Sequence, residues 1–171
     1  GSGEKGDVSD RRIYCWRWHM GKGQRLDIVR LTAHFDLAEF TRSNVAAAKG
    51  IDNTPPPDVV RRIWSTAGHM EMIRALLGKP ILISSGYRCA ALNKAVGGVA
   101  NSAHQTGYAV DFDCPDYGSP YKVAIELANS PSISFDQLIL EGTWVHISFD
   151  PKMRRELLTL QDGQYKKGIL K

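Results

Sequence analysis

Apolar residues recur at steps of three and four between residues 57 and 77, which is the spacing of a helix with one face in a core. The positions predicted to face the core are Val60, Ile63, Trp64, Ala67, Met70, Ile73 and Leu77. Prolines precede this helix, Asp58 lies in its first turn, and Gly78 ends it. His69 falls within the stripe, where a lone histidine is expected to pack or to face solvent and not to bind a metal.

The remaining helical patterns are shorter. The segment FDLAEFTRSNVAAAKG is predicted to form one helix, with Asp36 as N-cap, Glu39 three residues later and Gly50 as its end. We also predict a short helix at about 90–96, a helix near 119–129 and a last helix near 151–160.

Three segments have the pattern of strands: ILISS (81–85), YAVDFD (108–113) and FDQLILEGTWVHISF (135–149). The last is predicted to be a hairpin, because Gly-Thr suits a II′ turn, which requires glycine first. In that register Glu141 is opposite Trp144, and Ile139 is opposite His146. Helices around a small, mostly antiparallel sheet predict an α+β fold.

We divide the chain into an N-terminal arm (1–31), a main domain (32–160) and a polar C-terminal tail (161–171) that we expect to be frayed. Residues 1–3, Gly-Ser-Gly, look like a cloning remnant. Tyr14, Trp16 and Trp18 alternate in the arm, as on one face of a strand. Such a row could stack on sugar rings, although packing of the arm onto its own domain is the more common role.

Composition restricts the class of protein. With 171 residues, 43% hydrophobic and 23% charged, the chain is long enough for one globular domain with a real core. A net charge of +4 suits an anionic partner, but the basic residues are scattered and no nucleic-acid recognition motif is present. Cys15, Cys89 and Cys114 have no CxxC spacing and form at most one disulfide. No apolar run reaches the ~20 residues of a membrane span.

Two histidines and an aspartate, His104, Asp111 and His146, have the donor atoms of a catalytic zinc site, which takes three protein ligands and leaves one position for water. The predicted hairpin places Glu141 and His146 on one face as a diagonal pair, roughly 7–8 Å apart at the backbone. That separation allows His146 to hold a metal while Glu141 takes a proton from the attacking water. Each of these residues alone is more often a surface or hydrogen-bonded group.

The segments SSGYR, NSAHQTGYAVDFD and WVHIS, in this order, resemble the zinc D-alanyl-D-alanine peptidases. That superfamily includes D,D-carboxypeptidases, D-Ala-D-Ala dipeptidases of vancomycin resistance and phage L-alanyl-D-glutamate endolysins, and it shares its fold with the signalling domain of Hedgehog. GIDNTPP and ALNKAVGG are similar to its short phage and prophage members. The resemblance covers roughly residues 33–160. Its motif is matched by Ser102, His104, Gly107, Ala109, Asp111, Trp144 and His146.

The resemblance implies that His104, Asp111 and His146 bind one Zn²⁺ and that Arg88 contacts the substrate or its developing oxyanion. It also implies that Ser102 and Gln105 line the pocket, although Ser102 could equally cap a local turn. Trp144 would form a wall of the pocket.

The sequence departs from the family pattern at the catalytic base. Several members carry an acidic residue three positions before the last histidine, where this chain has Thr143. Glu141 is our candidate for the base, and Asp113 and Asp136 are weaker alternatives.

The resemblance therefore implies a zinc-dependent peptidase, acting as a monomer on stem or cross-bridge peptides of peptidoglycan in the bacterial cell wall. The alternative is a non-catalytic zinc-containing binding module, as in Hedgehog. No secretory leader is visible, so we expect a phage or prophage lysis enzyme, or a protein held in the cytoplasm until release; a cellular wall-remodelling enzyme would use the same chemistry. The sequence leaves open which bond is cut, and whether internally or at a terminus.

Overall fold

The computed structural model of the protein describes residues 29–171. Its helices are α1 (Leu37–Thr41), α2 (Asn44–Lys49), α3 (Pro57–Leu77), α4 (Ala90–Ala95) and α5 (Pro120–Asn129), with a 3₁₀ helix at Ala103–Thr106. Its strands are β1 (Leu82–Ser85), β2 (Ala109–Asp113), β3 (Gln137–Glu141), β4 (Trp144–Ser148), β5 (Glu156–Gln161) and β6 (Gln164–Lys167). The predicted row of Tyr14, Trp16 and Trp18, and Cys15, lie outside the described residues.

The six strands form one sheet in the order β1-β2-β4-β3-β5-β6. Four of the five neighbouring pairs are antiparallel, and only β3 and β5 run parallel. With helices around this sheet, the predicted α+β class is confirmed. Asp111 lies on β2 and His146 on β4, the second and third strands in this order.

The predicted hairpin is confirmed with its register. Glu141 is opposite Trp144 and Ile139 is opposite His146, across a turn in which Gly142 has φ 70°. Directly opposed residues point to the same side of a sheet, so the two faces separate cleanly. One face is core, formed by Val110, Phe112, Leu138, Leu140, Val145 and Ile147, all buried. The other face carries the polar residues.

Helix α3 supplies much of the core, through Val59, Ile63, Ala67, Met70, Ile73 and Leu77, all buried. The prediction that Trp64 faces the core is wrong, since its side chain is 53% exposed. Thr66 is buried instead and donates a hydrogen bond to the carbonyl of Gly107 at 2.8 Å. Among residues 29–171, none of the helices, α3 included, combines the length and hydrophobicity that a bilayer-spanning segment requires.

The helix predicted between Asp36 and Gly50 is two helices. Its start is confirmed, because the Glu39 carboxylate accepts from the Asp36 N–H at 2.9 Å, and its end is confirmed, because Gly50 has a left-handed φ of 62°. The break lies at Ser43, whose backbone is extended (φ −153°, ψ 123°) and whose hydroxyl accepts from the Ala46 N–H. Serine competes in this way with helix continuation, and here it starts α2.

The helix predicted near 151–160 is wrong, and so is the frayed tail after it. Residues from Glu156 onward form β5 and β6, and the sheet continues to Lys167, beyond the predicted boundary at 160. Met153 and Arg155 have positive φ angles of 44° and 54°, which no helix tolerates. The parallel ladder with β3 and the bonds of the arginines before β5 outweigh the helical pattern of the segment.

An ion pair fastens this turn to the sheet. Asp136 is buried and accepts from Arg154 three times, from Nε at 2.8 Å, from Nη2 at 2.6 Å and from the backbone N–H at 3.1 Å. The neighbouring Arg155 donates to the carbonyls of Ile133, Ala128 and Ser130 at 2.7, 2.9 and 3.0 Å. The hydrogen bonds from Arg154 hold the pKa of Asp136 below its usual value, although burial opposes this shift.

Two thiols fall within the described residues. Cys89 and Cys114 are both free. Cys114 is buried and donates to the carbonyl of Pro80 at 3.2 Å, so it serves as a small core residue.

Replacing Asp136 by Asn should lower the free energy of unfolding by about 1–3 kcal/mol, because a charge-assisted set of hydrogen bonds is lost in a buried place. The pKa of Asp136 is lower in the folded state than in the unfolded state. Its contribution is therefore complete above the unfolded value of about 3.9 and is lost as the pH falls through the folded value. Urea denaturation at pH 7 and at pH 3 measures both effects, and the gap between wild type and D136N should narrow at the lower pH.

The matched control is Asp162→Asn, which removes an exposed carboxylate 4.0 Å from the ammonium group of Lys166. Such a surface pair contributes at most about 1 kcal/mol, so D162N should unfold almost like the wild type. Equal stability of D136N and D162N at pH 7 would contradict the role given to the Asp136–Arg154 pair.

Candidate metal centre

Three residues from separate parts of the chain meet on the polar face of the sheet. Asp111 on β2 lies directly opposite His146 on β4 in the antiparallel register. His104 comes from the 3₁₀ helix that leads into β2 and is held beside them. All three are buried. The predicted ligand set is therefore assembled by one strand pairing and one short helix.

The distances within this cluster fit a single small ion. His104 Nε2 is 3.1 Å from Asp111 Oδ1 and 3.2 Å from His146 Nδ1, and His146 Nδ1 is 2.8 Å from Asp111 Oδ1. Ligand atoms at about 2.0–2.1 Å from a tetrahedral zinc lie roughly 3.3 Å apart. Two imidazoles and one carboxylate are also a donor set that zinc accepts. These residues could hold a metal ion.

Local hydrogen bonds fix the protonation that such a site needs. His104 Nδ1 is 2.6 Å from the carbonyl of Gly86, an acceptor, so this nitrogen carries the proton and Nε2 offers its lone pair to the cluster. Burial lowers the pKa of His104, which keeps the ring neutral. Burial alone would raise the pKa of Asp111, but the close approach of the His104 and His146 imidazoles outweighs burial and holds that pKa well below its usual range.

Arg88 holds the other oxygen of Asp111. Its Nη2 donates to Asp111 Oδ2, and its Nε donates to the hydroxyl of Ser85 at 2.9 Å. The two oxygens of Asp111 are thereby divided between the histidines and the guanidinium. An arginine has five N–H donors, so three remain beyond these two bonds for a substrate group. Arg88 thus orients a ligand and still faces the cleft, whose lining includes it.

The loop that carries Gly86 and Arg88 is locked onto α1. The Tyr87 N–H donates to the Phe40 carbonyl at 2.6 Å. A Cβ on Gly86 would lie 2.4 Å from that same carbonyl oxygen, so only glycine permits this approach. Gly107 is tightly placed on the other side of the centre, because a Cβ there would lie 3.0 Å from Val59 Cγ1 of α3.

Asn53 also holds the loop of Gly86 and Arg88 in place, a role that the sequence analysis did not predict. Its Nδ2 donates to the carbonyls of Thr41 and Tyr87 at 2.9 and 3.0 Å, and its Oδ1 accepts from the Cys89 N–H at 2.8 Å. One amide group therefore ties the end of α1 to both sides of Arg88. The GIDNTPP resemblance was the available signal, but the partners of Asn53 are 12 to 36 residues away.

Glu141 and Trp144 lie beside the cluster, as the hairpin register predicts. Both line the same cleft of about 1140 Å³ as the three ligand candidates. Burial raises the pKa of Glu141, with His146 and Arg88 opposing the shift. A carboxylate with a raised pKa is a better proton acceptor near neutral pH. The catalytic role of Glu141 stays a prediction.

Ser102 and Gln105 occupy the rim near His104, where they too line the cleft. The Ser102 hydroxyl accepts from the His104 N–H at 3.3 Å, so it caps the 3₁₀ helix as well. Gln105 Nε2 donates to the carbonyl of Ala100 at 2.6 Å. Substrate contacts of these two residues remain predictions.

The two weaker candidates for the base are placed less favourably. Asp113 accepts from the neighbouring Cys114 N–H at 2.7 Å and is not part of the cleft lining. Asp136 lines the cleft but is held by Arg154. His69 is stacked on Phe149 with ring centroids 4.4 Å apart, so it packs as predicted and lies outside the cluster.

A metal-dependent hydrolase needs three protein ligands and room for water and substrate, and this cluster offers both at the floor of an open cleft. The family model described as Peptidase M15 matches residues 33–148, which is more than half of the chain. The chain belongs to this family, which confirms the resemblance to the zinc D-alanyl-D-alanine peptidases and implies a zinc-dependent metallopeptidase. A search of curated proteins finds no match to the chain.

Replacing His146 by Ala should weaken zinc binding by about 100-fold or more, since losses of 10–100-fold already follow from changing groups outside the ligand set. Competition with a chromophoric chelator measures the affinity, and elemental analysis gives the stoichiometry. His69→Ala is the control, because it removes an imidazole outside the cluster and should keep one zinc per chain. Unchanged affinity in H146A would contradict the ligand set.

Replacing Asn53 by Ala should loosen the loop at 86–89, because the Cys89 N–H and two carbonyls lose their partner. Amide hydrogen exchange of peptides covering this loop should accelerate, while the β2–β4 ladder stays protected. Asn93→Ala is the matched control, since Asn93 Nδ2 holds the Val99 carbonyl of a different loop at 2.9 Å. Acceleration at 86–89 in N93A, or none in N53A, would speak against the locking role.

Proposed function

We propose that the protein is a zinc peptidase that hydrolyses peptides of bacterial peptidoglycan. The observation that carries the proposal is the placement of Glu141 and Arg88 around the buried His104–Asp111–His146 cluster, in a chain of the Peptidase M15 family. The net charge of +4 favours approach to an anionic wall. We further propose that it works at the cell wall as a monomer, in phage lysis or in wall remodelling.

The three ligands fit zinc, which when bound would bring the pKa of its water to about 7 and polarise the peptide carbonyl. Glu141 would accept the proton of the attacking water at its carboxylate and pass it to the leaving amine. The raised pKa of Glu141 supports this task, because the proton must be taken up and given back within one cycle.

Arg88 would stabilise the carbonyl oxygen as negative charge develops there. Its guanidinium is already fixed by Ser85 and Asp111, so it needs no reorganisation when that charge appears. Trp144, 38% exposed beside Glu141, would limit the access of solvent on that side of the cleft.

Replacing Glu141 by Gln should reduce hydrolysis of purified peptidoglycan by about 100- to 10,000-fold, the usual contribution of a general base. Zinc content should stay at one per chain, because Glu141 is not among the ligands. New amino and carboxyl termini, counted by mass spectrometry after digestion, give the rate and also identify the bond. Asp113→Asn is the matched control and should keep full activity.

Full activity in E141Q would overturn the assignment of the base, and loss of activity in D113N would move it to Asp113. If the wild type, fully loaded with zinc, hydrolysed no peptidoglycan, the non-catalytic binding module would be favoured instead.

A further inference from the structure

The cleft extends past the metal ligands in both directions. Its volume of about 1140 Å³ is above the range of roughly 300–1,000 Å³ that suits a small ligand. We propose that it binds an extended peptide on both sides of the bond to be cut, so that the enzyme cuts internal bonds, and that the β5–β6 hairpin holds one of the two segments. This inference rests on the proposed peptidase function and names its mode.

The β5–β6 hairpin extends the face of the sheet that carries His146. Ile139, opposite His146, is paired with Leu158 of β5, and Leu160 is paired with Tyr165 of β6. Paired residues point to one side of a sheet and residues two apart do so too, so Leu158 and Tyr165 face the same side as His146. Both belong to the cleft lining. The hairpin lies beyond residue 148, where the match to the family model ends.

The side chains of this wall are suited to contact with a ligand. Tyr165 is 55% exposed, and Leu158 is half-buried. An exposed aromatic ring beside a leucine, on the face of the sheet that carries Glu141 and His146, indicates a binding surface. We call Leu158 and Tyr165 the hairpin wall.

A second apolar rim lies on the other side of the metal ligands. It consists of Val45 on α2 and of Val96 and Val99 in the loop after α4, and Val99 is 66% exposed. Helix α2 packs against α4, α4 packs against the 3₁₀ helix that carries His104, and this 3₁₀ helix packs against β2, whereas the hairpin wall continues the sheet beyond β4 and β3. The ligand-bearing strands β2 and β4 therefore lie between the two apolar surfaces. We call these three valines the valine rim.

The charges of the cleft favour an internal segment over a free terminus. An enzyme that trims a carboxyl end needs a cation near the metal that is free to hold the terminal carboxylate. Arg88 is paired with Asp111, and its remaining donors are assigned to the carbonyl oxygen of the bond to be cut; Arg154 is paired with Asp136 and Glu156. Within residues 29–171, the lining cations without a carboxylate partner are Arg42 and Lys152, and both are exposed.

The experiment compares kcat/KM on a cross-linked muropeptide dimer for the wild type, Tyr165→Ala and Val99→Ser. Each variant changes an exposed side chain on one of the two surfaces, so folding should be unaffected, and thermal unfolding checks this. We expect each to lose about five- to tenfold, consistent with the loss of one apolar contact. Tyr165→Phe should stay within about twofold, because the ring remains. Trp64→Ala, an equally exposed aromatic outside the cleft, should change nothing.

The products distinguish the modes: internal cleavage either splits the dimer into two stem peptides or cuts within a stem peptide, whereas trimming releases a single amino acid or a terminal dipeptide. Release of terminal residues alone, or sensitivity to only one of the two surfaces, would overturn the inference while leaving the peptidase function intact. A wild type that cleaves neither the dimer nor any monomeric muropeptide would overturn the proposed function and this inference together.

Discussion

The carboxylate of Asp111 is the group on which the centre depends. One of its oxygens lies between two imidazole nitrogens, and the other is held by a guanidinium. A buried carboxylate without such partners would be strongly disfavoured, so the three cationic or polar neighbours and the carboxylate are stable only together. Because Asp111 is paired with His146 across the β2–β4 ladder, this arrangement is built into the register of these two strands.

Because of that register, one face of the sheet forms the hydrophobic core and the other face carries the candidate metal-binding cluster. The core face is covered by apolar side chains, with α3 and α5 supplying much of the remaining core. The opposite face is free to carry charge, because its strands already have their shape from the core side. Rigid strands also fix catalytic side chains better than loops do. Loops enter only where a carbonyl or a guanidinium must reach the centre, and there Asn53 and the Phe40 carbonyl hold them in place.

Much of the fold and of the candidate site could be predicted from local sequence patterns. The β3–β4 hairpin was predictable, because its Gly-Thr turn and its alternation fix the register without any distant contact. The ligand set followed from motif resemblance, and the strand pairing then gave it a geometry. The role of Asn53 could not be predicted in the same way, because its three bonds join segments that only the fold brings together.

The wrong predictions have the same cause, because they too depend on contacts that only the fold brings together. Residues 151–160 form a turn and a strand because Asp136 and carbonyls at and after the end of α5 bind two arginines, contacts that no local pattern contains. A local signal was present, however: Asp162-Gly163 is a common hairpin turn pair, and both residues have positive φ. The break at Ser43 was likewise a capping signal inside a helical pattern. Trp64 lies outside the core, and Thr66, two residues further along the helix, is buried instead and hydrogen bonds to Gly107.

The ends of the sheet have a consequence for behaviour at high concentration. An unpaired edge strand is a template on which other chains can add and aggregate. At one edge, β6 is only four residues long and carries Lys166 and Lys167. At the other, the pairing of β1 is interrupted by a bulge between Ile83 and Ser85, and α1 packs against the strand. Both edges are thus poor templates, so the open cleft face can stay accessible without the sheet recruiting further chains.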